Sequence, residues 1–401
     1  MLVGGVWMLV LALFLLSCGL CAMVSYIAYP LIERARANLL ETNMMFGSIA
    51  GLGLLLGTLL LWYGIQLFRR RESMSAASAF PPTFVFIGLY IAAVAIGWLI
   101  LPYRELAIYA FPPWHFVVSI AIPLLVLAFA AHRLGVTSGF RALVTSFSWG
   151  ALGAISVAMI LEIIIGAMIV VAIVIVVMML PNSEALVRQW SAQLDLVRRT
   201  NDLSSVSRLL DNPAVIGILL LYVAILVPIA EEAVKTLVVA FIDPRRTRLA
   251  DALLWGLAAG AGFAIVENLF NGANSLSSWV VVVVLRVGAA MMHLGNGALM
   301  GRGWYFARVE RRWGQLGIAY LVAVFLHGVW NAAAVLMSSQ VLVLAQGTRP
   351  PLQALLETGA MAIALGGVLV ALTGLQFGWL VYAVRSAQSR LQIKTREGEH
   401  G

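Results

Sequence analysis

Charged residues are scarce in this chain: they make up 11% of its 401 residues, while 62% are hydrophobic. Its mean hydropathy is +0.97. A soluble domain of this size could not solvate such a surface, so the composition excludes a soluble protein and predicts that lipid surrounds most of the chain. The formal net charge of +8 is then explained by basic residues in the loops on one side of the membrane. We therefore expect no nucleic-acid partner.

Cysteine is nearly absent as well. Cys18 and Cys21 lie one helical turn apart in the first apolar segment, so they exclude a disulfide scaffold, and no cysteine cluster for structural zinc occurs. The residues before Cys18 include no basic region, and the apolar run continues beyond it. We therefore predict a first membrane helix here, rather than a lipoprotein signal. No internal repeat is visible.

Three intramembrane protease signatures are also missing. No HExxH occurs, which excludes the zincin arrangement on one helix. No GxGD occurs and no aspartate lies deep within an apolar stretch, which excludes an aspartyl dyad. The residues around Ser138 have the wrong spacing for a serine nucleophile motif.

Ten apolar stretches are long enough to cross a bilayer, which requires about 20 residues. The sequence therefore predicts an all-α, polytopic membrane helix bundle of about ten transmembrane helices. The predicted spans are 3–29, 44–68, 83–102, 110–132, 142–180, 214–241, 250–271, 279–305, 316–345 and 356–384.

The stretch 142–180 is long enough for one helix or a tight pair, and the basic residues favour one crossing. With one crossing, 16 basic residues fall on one side of the membrane, and the other side's short loops carry only Arg34, Arg36, Arg104 and Arg349. The positive-inside rule then places both termini in the cytoplasm and the protein in the cell membrane. The basic side holds Arg69–Arg71, Arg133, Arg141, Arg245, Arg246, Arg248, Arg302, Arg308, Arg311, Arg312, Arg385, Arg390, Lys394 and Arg396.

The distribution of polar groups predicts four segments. Residues 1–180 form N-terminal membrane helices of unassigned role, with Glu162 as their one buried charge, and 181–213 form an outer-face loop. Residues 214–345 form a chemically active membrane core, and 346–401 form the final membrane helix and a basic cytoplasmic tail. The outer loop has helical apolar spacing, typical of a helix lying on the membrane surface or packed within the loop. Its apolar positions are Leu186, Val187, Trp190, Leu194 and Val197.

The sixth span carries two adjacent carboxylates, Glu231 and Glu232. A charged side chain at the bilayer centre costs about 2.5–3.5 kcal/mol on insertion scales, so two in succession require a reason. Lys235 lies four residues after Glu231, the favourable order for a helical ion pair. Glu232 projects about 100° around the helix from Glu231, where the helix offers it no local partner.

The seventh span combines small residues with a carboxylate. Small side chains recur at every fourth position, which lets a neighbouring helix approach closely. Packing explains that stripe but does not explain Glu267 at its end. The positions in register are Ala252, Gly256, Gly260, Ala264 and Asn268.

The eighth and ninth spans each pair a histidine with another polar group. Arg286 and His293 are seven residues apart, which is two turns along one face, and His327 and Asn331 are four apart. Residues at these spacings project together from a helix. We therefore expect the polar groups of the four spans to face one shared site.

Simpler interpretations exist for each of these groups. Glu231 and Lys235 could neutralise each other, and Glu267 could mark a polar helix end near the outer side. A lone histidine in an apolar helix is usually a core residue with its hydrogen bonds satisfied, and we expect His115 and His132 to be satisfied, interfacial residues of that kind.

This combination of carboxylates, imidazoles and an amide suits hydrolysis by activated water. A carboxylate in a low-dielectric pocket can act as a general base, and imidazole and amide groups can donate hydrogen bonds to an oxyanion. The same groups could bind a divalent metal such as zinc, so the residues leave the mechanism open. They could also form an ion- or proton-coupled transport pathway, or persist in a non-catalytic scaffold.

Four motifs on successive spans resemble the PrsW family of intramembrane proteases, which is related to the CAAX prenyl endopeptidases. They are EEAVK at 231–235, FAIVEN at 263–268, the helix of His293, and HGVWN at 327–331. The resemblance covers roughly residues 215–345 and implies a peptidase that cleaves a membrane-anchored protein. Its family-typical task is regulatory proteolysis, such as cleavage of an anti-sigma factor.

The resemblance also implies roles for individual residues. Glu231 matches the glutamate that activates water, with Glu232 beside it, and we expect Glu267 and His293 to assist. His327 and Asn331 match the motif implied to polarise the scissile carbonyl and stabilise the oxyanion.

The remaining matched positions have supporting roles. Phe263 and Glu267 fall where the CAAX endopeptidases have phenylalanine and histidine, and Asn268 completes the PrsW-like variant. Lys235 replaces an arginine of the CAAX enzymes, which makes a prenylated substrate less suitable. Arg286 is a further supporting candidate. The sequence assigns no cofactor and leaves zinc and the oligomeric state open.

Overall fold

The computed structural model describes residues 2–33, 38–69, 75–135, 139–181, 183–200, 212–241, 243–273, 276–345 and 352–399. Within these ranges the secondary structure is helical, and the backbone pairing between Ser75 and Gly139 is an isolated bridge. The α-helices are α1 Leu2–Ile32, α2 Leu39–Phe68, α3 Ala76–Ala79, α4 Thr83–Ile100, α5 Arg104–Leu134, α6 Phe140–Ser148, α7 Ile155–Met178, α8 Ser183–Thr200, α9 Pro213–Leu220, α10 Val227–Lys235, α11 Leu237–Ala240, α12 Leu249–Ala273, α13 Trp279–Arg308, α14 Trp313–Ala345 and α15 Leu352–Glu399.

Ten helical segments in the described part of the chain are long and apolar enough to cross a membrane. This confirms the all-α class and the number of spans. The largest boundary difference is at α15, which continues beyond the predicted span end at 384 to Glu399. Phe140–Met178 is one uninterrupted segment, with a π-helical turn at Trp149–Ala154, as expected for a single crossing.

The outer loop contains the predicted helix, since α8 occupies Ser183–Thr200. Its exposed Glu184 and Arg188 form a surface ion pair of 3.6 Å. The placement of α8 on a membrane surface stays a prediction.

The chain divides into two compact units. The larger unit comprises Met1–Ile155, Lys235–Tyr320 and Gln376–Gly401, and the smaller unit comprises Ser156–Val234 and Leu321–Leu375. The predicted four-segment organisation stays a prediction.

Helix α12 lies at the centre of the larger unit, and 94% of its most apolar 18-residue stretch is buried. Its small-residue stripe packs directly on α13, as predicted. A Cβ atom at Gly256 would collide with the carbonyl oxygen of Gly297, and one at Gly260 would collide with that of His293. Backbone therefore packs on backbone, and α12 and α13 approach more closely than larger side chains would allow.

His115 fixes α5 against this pair of helices. Its Nε2 atom lies 2.9 Å from the carbonyl oxygen of Leu269, and the indole N–H of Trp279 donates to its Nδ1 atom at 3.1 Å. His115 is fully buried. The prediction that it is a satisfied residue is confirmed, and the exposed His132 likewise contacts the Phe80 carbonyl at 3.3 Å.

The smaller unit is built around α7, the segment 213–234 and part of α14. Helix α9 begins where the Asn212 side chain accepts a hydrogen bond from the Ala214 amide, with Pro213 at the first helical position. A π-helical segment, Leu221–Leu226, separates α9 from α10. The Tyr222 hydroxyl in that segment donates to the Glu162 carbonyl at 3.1 Å and so connects it to α7.

Close packing of α12 on α13 predicts a large penalty at Gly260. In Gly260→Leu the new side chain must displace the backbone of α13 at His293, which we expect to lower the free energy of unfolding by at least about 1–3 kcal/mol. Thermal unfolding of the purified protein in detergent measures the effect. Gly317→Leu is the matched control, because a Cβ atom there meets nothing within 4 Å. Equal stability of the two variants would contradict the close approach.

Candidate active site

Three buried ionisable side chains meet in the smaller unit. Glu231 and Glu232 lie on α10, and His327 lies on α14. The Nδ1 atom of His327 is 2.8 Å from Oε1 of Glu232, and its Nε2 atom is 3.8 Å from Oε2 of Glu231. The side chains of Glu231, Glu232 and His327 are 5%, 0% and 2% exposed, so the protein itself surrounds this imidazole and its two carboxylates.

The two glutamates face different nitrogen atoms of the His327 ring. Because the Glu232 carboxylate is a hydrogen-bond acceptor, it favours a proton on Nδ1 of His327 and fixes the orientation of the ring. That orientation directs Nε2 toward Glu231. Helical spacing predicted no local partner for Glu232, and its partner His327 comes from 95 residues later in the chain.

Asn331 lies one turn after His327 and holds the backbone of the same unit. Its side-chain amide donates to the carbonyl oxygen of Val223 at 2.9 Å. Val223 belongs to the π-helical segment Leu221–Leu226, where the regular helical hydrogen-bond pattern is interrupted. A Cβ atom at Gly328 would collide with the Ala224 carbonyl, so α14 also packs closely on this segment. The predicted oxyanion role of Asn331 stays a prediction.

A second group of polar residues forms a continuous hydrogen-bonded series in the larger unit, which we call the polar chain. Lys235 Nζ lies 2.9 Å from Nδ1 of His293, whose Nε2 lies 2.5 Å from Oε2 of Glu267. Arg286 then donates to Glu267 at 2.9 Å and to the Asn268 side-chain oxygen at 2.6 Å. The Asn268 amide ends the series by donating to the Ser119 carbonyl at 3.1 Å.

Hydrogen-bond chemistry sets the direction of this series. An ammonium group only donates, so Lys235 donates to Nδ1 of His293, and the ring proton then lies on Nε2 and is donated to Glu267. Glu267 therefore accepts from an imidazole and a guanidinium. Lys235 also lies 4.5 Å from the centre of the Phe263 ring, a cation–π contact that keeps its fully buried charge in place.

A small cavity lies beside the far end of the polar chain. Tyr90, Ser119, Asn268 and Arg286 supply its polar lining, and its volume of about 10 Å³ has room for about one water molecule. The Tyr90 hydroxyl donates to the Val283 carbonyl at 3.1 Å. A water in this cavity would hydrate the only guanidinium of the polar chain.

Sequence reasoning missed a buried amide pair. Gln376 on α15 donates from its side chain to the Asn296 side-chain oxygen at 2.9 Å, and the two residues are 3% and 0% exposed. Asn296 is one turn after His293 on α13. The sequence does contain a sign of this pair: a single amide side chain occurs in each of two apolar spans, Asn296 in LGNGAL and Gln376 in LTGLQF.

The structure thus assembles the predicted residues as two groups. Glu231, Glu232, His327 and Asn331 belong to the smaller unit, and the remaining six predicted residues belong to the larger unit. The expectation that all of them face one shared site stays a prediction. The six are Lys235, Phe263, Glu267, Asn268, Arg286 and His293.

Comparison with known protein families gives a match to the PrsW family of intramembrane metalloproteases over residues 138–364. The match covers more than half of the chain and extends beyond 215–345, the range of the resemblance in the sequence. No curated protein and no solved structure matches the chain. The matched range contains all ten predicted site residues. With ten apolar, membrane-length helices among its described residues, this multi-pass membrane protein belongs to the PrsW family of intramembrane proteases.

Proposed function

We propose that this protein is an endopeptidase that hydrolyses a peptide bond of a membrane-anchored protein with water activated by Glu231. The observation that carries the proposal is the buried imidazole of His327 held between the carboxylates of Glu231 and Glu232. Placing two carboxylates and an imidazole in an apolar surrounding costs free energy. A role in general base catalysis would account for their presence.

Each group of this trio has a distinct step in the proposed reaction. The Glu231 carboxylate accepts a proton from water as the water attacks the scissile carbonyl. Protonated His327 donates its Nδ1–H to Glu232 and its Nε2–H to the developing oxyanion. The Asn331 amide has two N–H donors; one is committed to Val223, and we assign the second to the oxyanion.

The family name implies a metal, and the donor chemistry of the trio fits one. A carboxylate that holds Nδ1 of a histidine and leaves Nε2 to face a further carboxylate is the usual support for a metal-ligating histidine. An ion would take the place of the Nε2 proton of His327: Glu231 would bind it through a carboxylate oxygen and His327 through the unprotonated Nε2 atom, donors that suit zinc. When bound, the ion would polarise the carbonyl and acidify a bound water.

The polar chain is proposed to assist the same reaction. Lys235 lies on α10 with Glu231, and the chain from Lys235 through His293 to Glu267 is a series of adjacent proton donors and acceptors. In this proposal, His293 and Glu267 exchange protons with the reacting groups. Arg286 orients the Glu267 carboxylate by donating a hydrogen bond to it.

The substrate class follows from the surroundings of these groups. A peptidase whose catalytic side chains lie on apolar, membrane-length helices meets substrates that are themselves in or at the bilayer. Regulatory cleavage, such as that of an anti-sigma factor, is the family-typical task, and it enters this proposal from the family resemblance alone.

The central test replaces the proposed base. Glu231→Gln preserves shape but removes the basic oxygen, so we expect cleavage of a reconstituted membrane-anchored substrate to fall by about 10²–10⁴-fold, the usual contribution of a general base. Gel-based cleavage in proteoliposomes measures the rate. Glu162→Gln is the matched control, since it removes a carboxylate from another apolar helix of the same unit.

Two outcomes would contradict the proposal. Full activity of Glu231→Gln would remove that carboxylate from the chemistry. Ion or proton flux through the wild-type protein in the same vesicles, without cleavage, would instead support the transport hypothesis.

The metal assignment has its own test. We expect purified wild-type protein to retain a stoichiometric divalent cation, and His327→Ala to lose it, because the alanine variant lacks the nitrogen donor. Elemental analysis by mass spectrometry measures the content. His132→Ala is the control, with its histidine exposed and bonded to the Phe80 carbonyl. Chelator-treated protein that is metal-free yet fully active would refute the metal while leaving Glu231 as the activator of water.

The polar chain predicts coupled substitutions. Arg286→Met leaves the partly buried Glu267 carboxylate without its guanidinium partner, and we expect a loss smaller than the cost of about 3–5 kcal/mol for breaking a fully buried pair. We expect Glu267→Gln to recover much of that loss in the double variant, because neither charge of the Arg286–Glu267 pair then remains to be compensated. Unfolding temperatures of the wild type, both single variants and the double variant test this. Strictly additive effects would show that the contact does not couple the two residues.

A further inference from the structure

A second cavity lies in the larger unit, away from the polar chain. It is formed by the last turns of α2, the beginning of α6, α11 with the residue after it, and the beginning of α12. Its volume is about 480 Å³, within the range of small-molecule sites. Its lining residues are Tyr63, Gly139, Arg141, Ala142, Thr145, Ser146, Val238, Phe241 and Trp255.

The helix ends around this cavity carry a net positive charge, although Arg246 and Arg248 are in ion pairs with Asp243 and Asp251. Arg141 lines it, and Arg69, Arg245, Arg246 and Arg248 follow or precede the same helices with exposed side chains. These arginines belong to the basic side that the sequence predicts to be cytoplasmic. In that position, the cavity lies at the level of lipid headgroups on the leaflet that carries anionic lipids.

Two independent features of the cavity call for a hydrogen-bond acceptor. The indole N–H of Trp255 is buried and has no hydrogen-bond partner among the described residues. Such a buried donor requires an acceptor to compensate its desolvation. Helix α6 begins at Phe140, and its N-cap residue Gly139 provides no side-chain cap, so backbone N–H groups of the first turn add partial positive charge beside Arg141.

The cavity also has an apolar side suited to acyl chains. Val238 and Phe241 line it, and the Phe241 side chain is 86% exposed. An exposed aromatic ring next to basic groups is typical of the membrane interface. One ligand with a phosphate and adjoining hydrocarbon satisfies both sides of this cavity.

We propose that this cavity binds the headgroup of an anionic phospholipid, whose phosphate accepts hydrogen bonds from Arg141 and from the indole N–H of Trp255. The glycerol and the first acyl carbons pack on Val238 and Phe241. The site is separate from the peptidase proposal, and it adds a lipid-binding function to a region that the proposed reaction does not use.

Native mass spectrometry of the full-length protein in detergent tests this directly. The protein is incubated with phosphatidylglycerol, with phosphatidylcholine, or with phosphatidylglycerol plus excess inorganic phosphate. We expect one phosphatidylglycerol to be retained preferentially, and inorganic phosphate not to displace it, because phosphate lacks the hydrocarbon contacts.

Variants locate the site. Arg141→Gln and Trp255→Phe each remove a proposed donor, and we expect each to weaken phosphatidylglycerol retention, Arg141→Gln by about tenfold, the loss of one charge-assisted hydrogen bond. Arg104→Gln and Trp98→Phe remove the same groups from exposed positions outside the cavity and should leave retention unchanged. Unfolding temperatures of the lipid-free variants establish that they are folded.

Several results would overturn the inference. Equal retention of phosphatidylcholine would exclude recognition of an anionic headgroup, and displacement by inorganic phosphate would indicate a free-phosphate site. Equal weakening by Arg104→Gln would indicate a general effect of surface charge. Impaired substrate cleavage by Arg141→Gln, with lipid retention unchanged, would identify a substrate-docking surface instead.

Discussion

An ionised side chain within an apolar, membrane-length helix must find its compensation inside the protein, because hydrocarbon supplies neither water nor counter-ions. Two groups of ionisable residues in the described part of the chain follow that constraint. His327 lies between two carboxylates, and Glu267 accepts from both an imidazole and a guanidinium. Under the proposed function, the contacts that compensate these charges also hold each carboxylate in a defined orientation for catalysis.

Close helix packing is what allows such short side-chain contacts. On α12 and α13 the glycines let one backbone meet the other, and this brings His293 to the helix that carries Glu267. The same helix pair is held against α5 through His115, which in turn aligns the Ser119 carbonyl with Asn268. Packing residues and polar residues therefore form one system, in which the glycines set the distances that the hydrogen bonds require.

Interrupted helical geometry has a comparable role in the smaller unit. The π-helical segment Leu221–Leu226 precedes the glutamate pair, and Asn331 compensates it by donating to the Val223 carbonyl. Backbone irregularity at membrane depth is tolerated where a neighbouring helix satisfies the freed groups. Asn331 therefore supports the backbone next to Glu231 and Glu232, in addition to the role proposed for its second N–H.

The sequence by itself determined the all-helical membrane class, the number of spans, the helical continuity of residues 142–180 and the family. Hydropathy and motif spacing are local properties of the sequence, so they can be determined without coordinates. Partner choice was decided only by the tertiary structure. Helical spacing suggested Glu231 for Lys235 and nothing for Glu232, and only the fold shows that Lys235 contacts His293 and that Glu232 contacts His327. The buried pair of Asn296 and Gln376 was missed for the same reason: contacts between distant spans depend on how helices pack, which no single span encodes.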